Sequence, residues 1–146
     1  MRQITLIVIH CSAVRPNQTS SAAQIDTWHR QRGFRLGIGY HYVVRRDGTV
    51  EPGRPEWMIG AHCHVAGHDH NKHSIGVCYE GGLDCRGQPA DTRTDAQRQA
   101  LRRLLGQLHE RYPRAVIVGH HDLNPLKACP CITNVAKEYA DLQGER

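Results

Sequence analysis

Apolar residues fall along this chain in short β-branched runs and one amphipathic stripe, and each predicts an element. Thr5-Leu6-Ile7-Val8-Ile9 is too short for a stable helix and reads as a buried strand ending at His10. A polar cluster from Asn17 to Ser21 supplies caps for a helix over about Ala22 to Arg32, closed by Gly33, with Ile25 and Trp28 on one face. Tyr40 to Val44 predicts a strand, Arg46-Asp47-Gly48-Thr49 a hairpin turn carrying Asp-Gly, and Thr49-Val50-Glu51 its return strand. Pro52 to Lys72 has no period and is rich in Gly, His, Asp and Asn, the composition of a long functional loop. Ser74 to Tyr79 predicts another strand, and Gly81-Gly82 opens a second loop through Thr92. Thr94-Asp95-Ala96-Gln97 is a capping box for the longest helix, whose buried stripe is Leu101, Leu104, Leu105 and Leu108, up to Arg111. Ala115 to Val118 predicts the last strand, ending at Gly119-His120, and Thr133 to Leu142 a closing helix.

Strands interleaved with helices, one hairpin among them, predict an α/β fold with a central mixed β-sheet flanked by helices. The 146 residues, 39% hydrophobic, fit a single domain over 1–146, and no internal repeat competes with that reading. No apolar run approaches the roughly 20 residues of a membrane helix, so no membrane association is expected. The first run is too short for a secretory signal and lacks a cleavage site, which predicts synthesis in the cytoplasm. A formal net charge of +5 favours anionic partners such as nucleic acid, a membrane surface or an acidic wall polymer. With only 5% aromatic residues and scattered Lys and Arg, nucleic acid is the least favoured of these. The chain's size and its lack of an apolar surface stripe predict a monomer.

The chemistry-bearing residues sharpen the picture. Five histidines, His62, His64, His68, His70 and His73, crowd one loop without fixed ligand spacing, which is weak evidence for a metal and reads as a polar surface loop. His10 and His120 are more informative, because each follows an apolar strand-like run. In α/β sheets the carboxyl ends of strands open onto a crevice. Cys129 lies close behind His120. Two imidazoles and a thiolate suit zinc, and three protein ligands leave a fourth position for water, the pattern of a catalytic site. His10 and His120 stand at opposite ends of the chain, unlike the close ligand pairs of a zinc finger. Spacing alone leaves a second reading equally open, in which both histidines are hydrogen-bonded strand ends and Cys129 is a buried thiol.

The ordered motifs decide between them. Val8-Ile9-His10-Cys11-Ser12-Ala13, Trp28 to Phe34, Gly39-Tyr40-His41-Tyr42, Arg46 to Glu51, Ser74 to Cys78, Gly81-Gly82, His120-His121-Asp122 and Lys127-Ala128-Cys129-Pro130 follow one another along nearly the whole chain. In that order they resemble the zinc-dependent N-acetylmuramoyl-L-alanine amidases, the type 2 amidase or peptidoglycan-recognition fold, phage lysozymes among them. The resemblance implies one Zn2+ on His10, His120 and Cys129, an essential tyrosine at Tyr40, an essential lysine at Lys127, and a substrate-contacting histidine lining the groove at His62. It selects His120 over His121, and alternation along a strand would turn His121 away or leave it to support a ligand from behind. The implied reaction is hydrolysis of the amide joining N-acetylmuramic acid to the L-alanine of the stem peptide. Lys127 would steady the oxyanion and Tyr40 would orient the attacking water.

The implied partner is peptidoglycan, reached after lysis, through a holin or by secretion, as for a phage endolysin or a wall-remodelling enzyme. A recognition module that has lost catalysis is disfavoured, since Tyr40, Lys127 and Cys129 are all present. Only three or four residues precede the first strand, so the RNA polymerase binding that phage relatives carry on an N-terminal extension is not expected. Leu126 is one residue more than the family spacing before Lys127. Cys131 forms Cys-x-Cys with Cys129 and reads as a bystander, an oxidation partner or a spare ligand.

Overall fold

The computed structural model describes residues 2–144. One mixed sheet of five strands runs in the order β3-β2-β4-β1-β5, with β1 at Leu6–Cys11, β2 at Tyr42–Val44, β3 at Val50–Pro52, β4 at Ser74–Tyr79 and β5 at Val116–Gly119. Only the β2–β3 hairpin is antiparallel. Its turn closes through Arg45 and Thr49, with Gly48 at φ +89°, a conformation that residues with a Cβ rarely adopt.

β1 and β4 are almost continuously buried because both faces of the sheet are covered. Helix α2 (Asp95–Arg111) packs Leu101, Leu105 and Leu108 against Ile7, Ile9, Ile75 and Val77. Helix α1 (Ala22–Gln31) places Ile25 with Val43 and Cys78. Val43 and Cys78 alternate with Val44 and Val77, so the two helices cover opposite faces. The capping box expected at Thr94 forms, and the Gln97 amide also donates to the carbonyls of Val44 (3.1 Å) and Glu80 (2.8 Å). One side chain thus starts α2 and bolts it to two strands.

The structure corrects three local expectations. β1 runs on to Cys11, so His10 lies inside the strand rather than after it. The chain does not leave β5 as an extended segment: His120–Leu123 form a one-turn helix, α3, because the Asp122 carboxylate accepts the Gly119 N–H at 2.8 Å and turns the backbone. The closing helix is only Val135–Glu138, α4, followed by a 3-10 turn at Ala140–Leu142. It stops early because the chain must come back to β5, where the Gln143 amide pairs with both the N–H and the C=O of Ile117 (2.7 and 3.0 Å). Among the described residues no helix is long and apolar enough to cross a membrane.

Candidate metal centre and active-site cleft

Parallel pairing of β1 with β5 aligns Ile9 with Gly119. The next residues in each strand direction are His10 and His120, and their rings meet with centroids 4.6 Å apart. Cys129 is brought back to them by its own backbone, whose carbonyl accepts the His121 N–H at 2.8 Å. Its Sγ lies 3.7 Å from His10 Nδ1 and accepts the Cys11 N–H at 3.2 Å, a donor well suited to a thiolate. The ligand atoms of His10, His120 and Cys129 all lie within 4.8 Å of one another, the only such group of three among the described residues. His121 stands outside the group, and its reason is α3 rather than strand alternation. Its ring faces Asp122 at 3.6 Å.

The other nitrogen of His10, Nε2, lies 2.9 Å from Nδ1 of His62, whose Nε2 lies 3.2 Å from the Ser74 hydroxyl. One assignment of protons satisfies this chain: His10 donates to His62, His62 donates to Ser74, and His10 Nδ1 keeps its lone pair toward Cys129 and His120. His62 is only 9% exposed and lies flat on β4. It fits because residue 76 is glycine; a Cβ there would stand 2.6 Å from His62 Cδ2. Asn71 fixes the segment by accepting the N–H groups of His62 (3.0 Å) and Cys63 (3.1 Å). The sequence expectation made His62 a groove contact; the fold sets it chiefly behind His10, with its edge in the cleft wall.

Above these residues opens a cleft of about 890 Å3, and both Tyr40 and Lys127 line it. The Tyr40 ring lies 5.0 Å from His10, centroid to centroid. Lys127 is exposed, on a turn whose N–H bonds to the Asn124 carbonyl at 3.0 Å. The remaining wall includes Trp28, Arg32, Phe34 and His64. His29, Asn71 and Ser74 shape the site and were not singled out by the sequence. Asn71 and Ser74 stand just before the apolar run of β4 and His29 faces Tyr40 from α1, so their places come from contacts between distant elements and left no spacing signal in the sequence.

The family model described as N-acetylmuramoyl-L-alanine amidase matches residues 1–132. The chain belongs to that family. The endolysin of Escherichia phage T7 is 46% identical over 124 residues, spanning 85% of this chain and 78% of its own length. That of Klebsiella phage KP32 is 44% identical over 129 residues, spanning 88% and 82%. Among solved structures, the N-acetylmuramoyl-L-alanine amidase LysC from Clostridium intestinale superposes with a TM-score of 0.78 at 29% identity, over 99% of this chain and 88% of that one. The expected fold and activity are thereby borne out, and the chain is a peptidoglycan hydrolase.

The electrostatics of the amidase suit a metal. Burial, reinforced by the neighbouring His62 and His120, holds His10 well below the ordinary histidine value. Burial also lowers His62 and His120, and the Lys127 ammonium pushes His120 further down. All three imidazoles are therefore neutral at physiological pH, the state that ligates. The donor set passes a geometric test as well. Tetrahedral zinc, with its usual bonds to imidazole and thiolate, places nitrogen and sulfur about 3.6 Å apart, close to the 3.7 Å between His10 Nδ1 and Cys129 Sγ. Burial holds the Tyr40 hydroxyl well above the ordinary tyrosine value, which keeps it a protonated, neutral donor.

Proposed function

We propose that this amidase works with a single zinc ion held by His10 Nδ1, His120 and Cys129 Sγ, and that residues 1–146 act as one monomeric catalytic domain. The observation that carries the reading is the convergence of the three donor atoms at one end of the cleft. Zinc in such a site supplies Lewis acidity, polarising a carbonyl and acidifying a water. The protein does the rest. Tyr40 donates a hydrogen bond that orients the attacking water, and Lys127 places a positive charge where the scissile carbonyl develops negative charge. Trp28 and Phe34 give apolar wall for the sugar and peptide, while Arg32 meets the carboxylates of a stem peptide. The phage relatives carry the name endolysin, which supports action on the host wall after release from the cytoplasm.

The direct test is digestion of purified Gram-negative peptidoglycan, with chelator and zinc add-back, products read by mass spectrometry. Free stem peptides with a new L-alanine amino terminus, lost on chelation and restored by zinc, are expected. Products that are unchanged by chelation would refute the metal.

A second test separates the two readings of His62. As the hydrogen-bond acceptor that fixes His10, its loss in His62→Ala should weaken zinc affinity by about 10–100-fold, as removal of such outer partners does. Competition with a chromophoric chelator measures it. Unchanged zinc affinity with a raised KM would instead return His62 to the substrate.

A further inference from the structure

Two sulfurs beside the candidate metal centre have no part in the hydrolysis. Cys11 ends β1 and follows Ile7 and Ile9 onto the α2 face, while His10 turns to the cleft. Cys131 lies two residues beyond Cys129, packs against the same face, and carries its Sγ to 3.9 Å from Cys11 Sγ. Each is held there by its backbone. Cys11 is in register with Tyr79 of β4, and its sulfur occupies the space left by Gly82, where a Cβ would stand 2.5 Å away. Cys131 has φ +63°, a left-handed conformation that residues other than glycine avoid. It is kept by a tight turn in which Cys131 N–H donates to the Ala128 carbonyl at 2.8 Å, and by the Tyr79 hydroxyl, which donates to the Pro130 carbonyl at 2.6 Å. A side chain forced into a disfavoured backbone so that it meets a second thiol is the kind of outlier that marks a site.

We propose that Cys11 and Cys131 are a dithiol modification site, which a small organic disulfide oxidises to a Cys11–Cys131 bond that tethers the Cys129 turn to β1. The half-buried Cys131 reacts first. Its thiolate attacks one sulfur of oxidised glutathione, releasing one glutathione thiolate and leaving a mixed disulfide. The Cys11 thiolate then attacks the Cys131 sulfur and expels the second glutathione. Both thiol protons end on the two glutathiones, and two electrons pass to the glutathione disulfide. Cys129 also meets the Cys11 thiol, but its sulfur is engaged by His10 and the Cys11 N–H as a proposed zinc ligand, which leaves Cys131 as the partner. Bond formation brings the sulfurs to about 2.05 Å. β1 is clamped between β4 and β5, so the turn makes the approach. The bond closes nearly the whole chain into one loop, which removes much of the freedom of the unfolded state. In a reducing cytoplasm the site stays open, and in an oxidising compartment it closes.

The bond itself does not depend on the proposed zinc; the consequence for metal retention does, and the experiment reads them separately. The full chain in a Cys85→Ser background, which removes the exposed thiol, is equilibrated with oxidised glutathione and mapped by non-reducing peptide mass spectrometry. A mass loss of about 2 Da and one cross-linked peptide pair joining Cys11 to Cys131 are expected. Tm should rise by roughly 5–10 °C in the oxidised form, and release of zinc to a chelator should slow several-fold. Cys131→Ser should abolish the cross-link and the Tm shift while keeping reduced-state activity; Cys11→Ala is the second variant. Both thiols remaining open to alkylation, or a bond from Cys131 to Cys129, would overturn the site. A correct cross-link that leaves zinc release unchanged or faster would overturn the tether.

Discussion

Cys129→Ser is expected to yield a folded protein that holds no zinc and has lost at least about 10³ in rate, since a metal's Lewis acidity is worth several kcal/mol of barrier. A thiol gives up its proton to a metal; an alcohol at the same place keeps it and remains a poor neutral donor. Two neutral imidazoles, His10 and His120, then make an incomplete site. The fold should survive, because the turn is held by groups the substitution leaves intact: the Cys129 carbonyl on the His121 N–H, and the Pro130 carbonyl on the Tyr79 hydroxyl. Metal content by atomic emission after dialysis, circular dichroism and muropeptide turnover measure the three parts. One zinc per serine-substituted chain would show that Cys129 is not a ligand.

The elements that could be read from sequence were those fixed by local chemistry. β4 starts at Ser74 and ends at Tyr79 as its apolar run does, and α2 starts after Thr94 because a capping box is a local device. The pairing of His10 with His120 was legible for a different reason: the carboxyl ends of parallel neighbouring strands bring their residues together whatever their separation along the chain. What escaped depended on contacts between distant residues. The α3 turn needs the Asp122 carboxylate on Gly119, and the shortened α4 needs Gln143 on β5, where helical propensity says nothing. His62 looked like one of five loop histidines. Its distinction comes from Gly76, a bare patch of β4 that admits an imidazole beneath His10, and no spacing in the sequence couples those positions. Nothing in the spacing couples Cys11 to Cys131 either; the left-handed backbone at Cys131 turns its sulfur toward Cys11.

Lys127→Ala should separate chemistry from metal binding. Lys127 is exposed and touches the centre only through its charge, which already depresses His120. Removing an exposed side chain changes stability by no more than about 0.5 kcal/mol, and none of the three proposed ligands is altered, so zinc content and Tm should match the parent. The rate should not. A cation positioned for an oxyanion acts in the transition state and hardly at all on the neutral amide of the substrate, so kcat should fall by ~10²–10³ with KM nearly unchanged. Lys127→Arg, which keeps the charge but spreads it over a broader head, should recover part of the loss. The outcome distinguishes two roles that the cleft alone allows for a basic residue. If KM rises and kcat holds, Lys127 grips a carboxylate of the stem peptide and the oxyanion is steadied elsewhere. If kcat falls with zinc retained, the lysine next to the Cys129 turn is a catalytic group, and its extra preceding residue, the 94% exposed Leu126, is absorbed by the solvent-facing side of the turn.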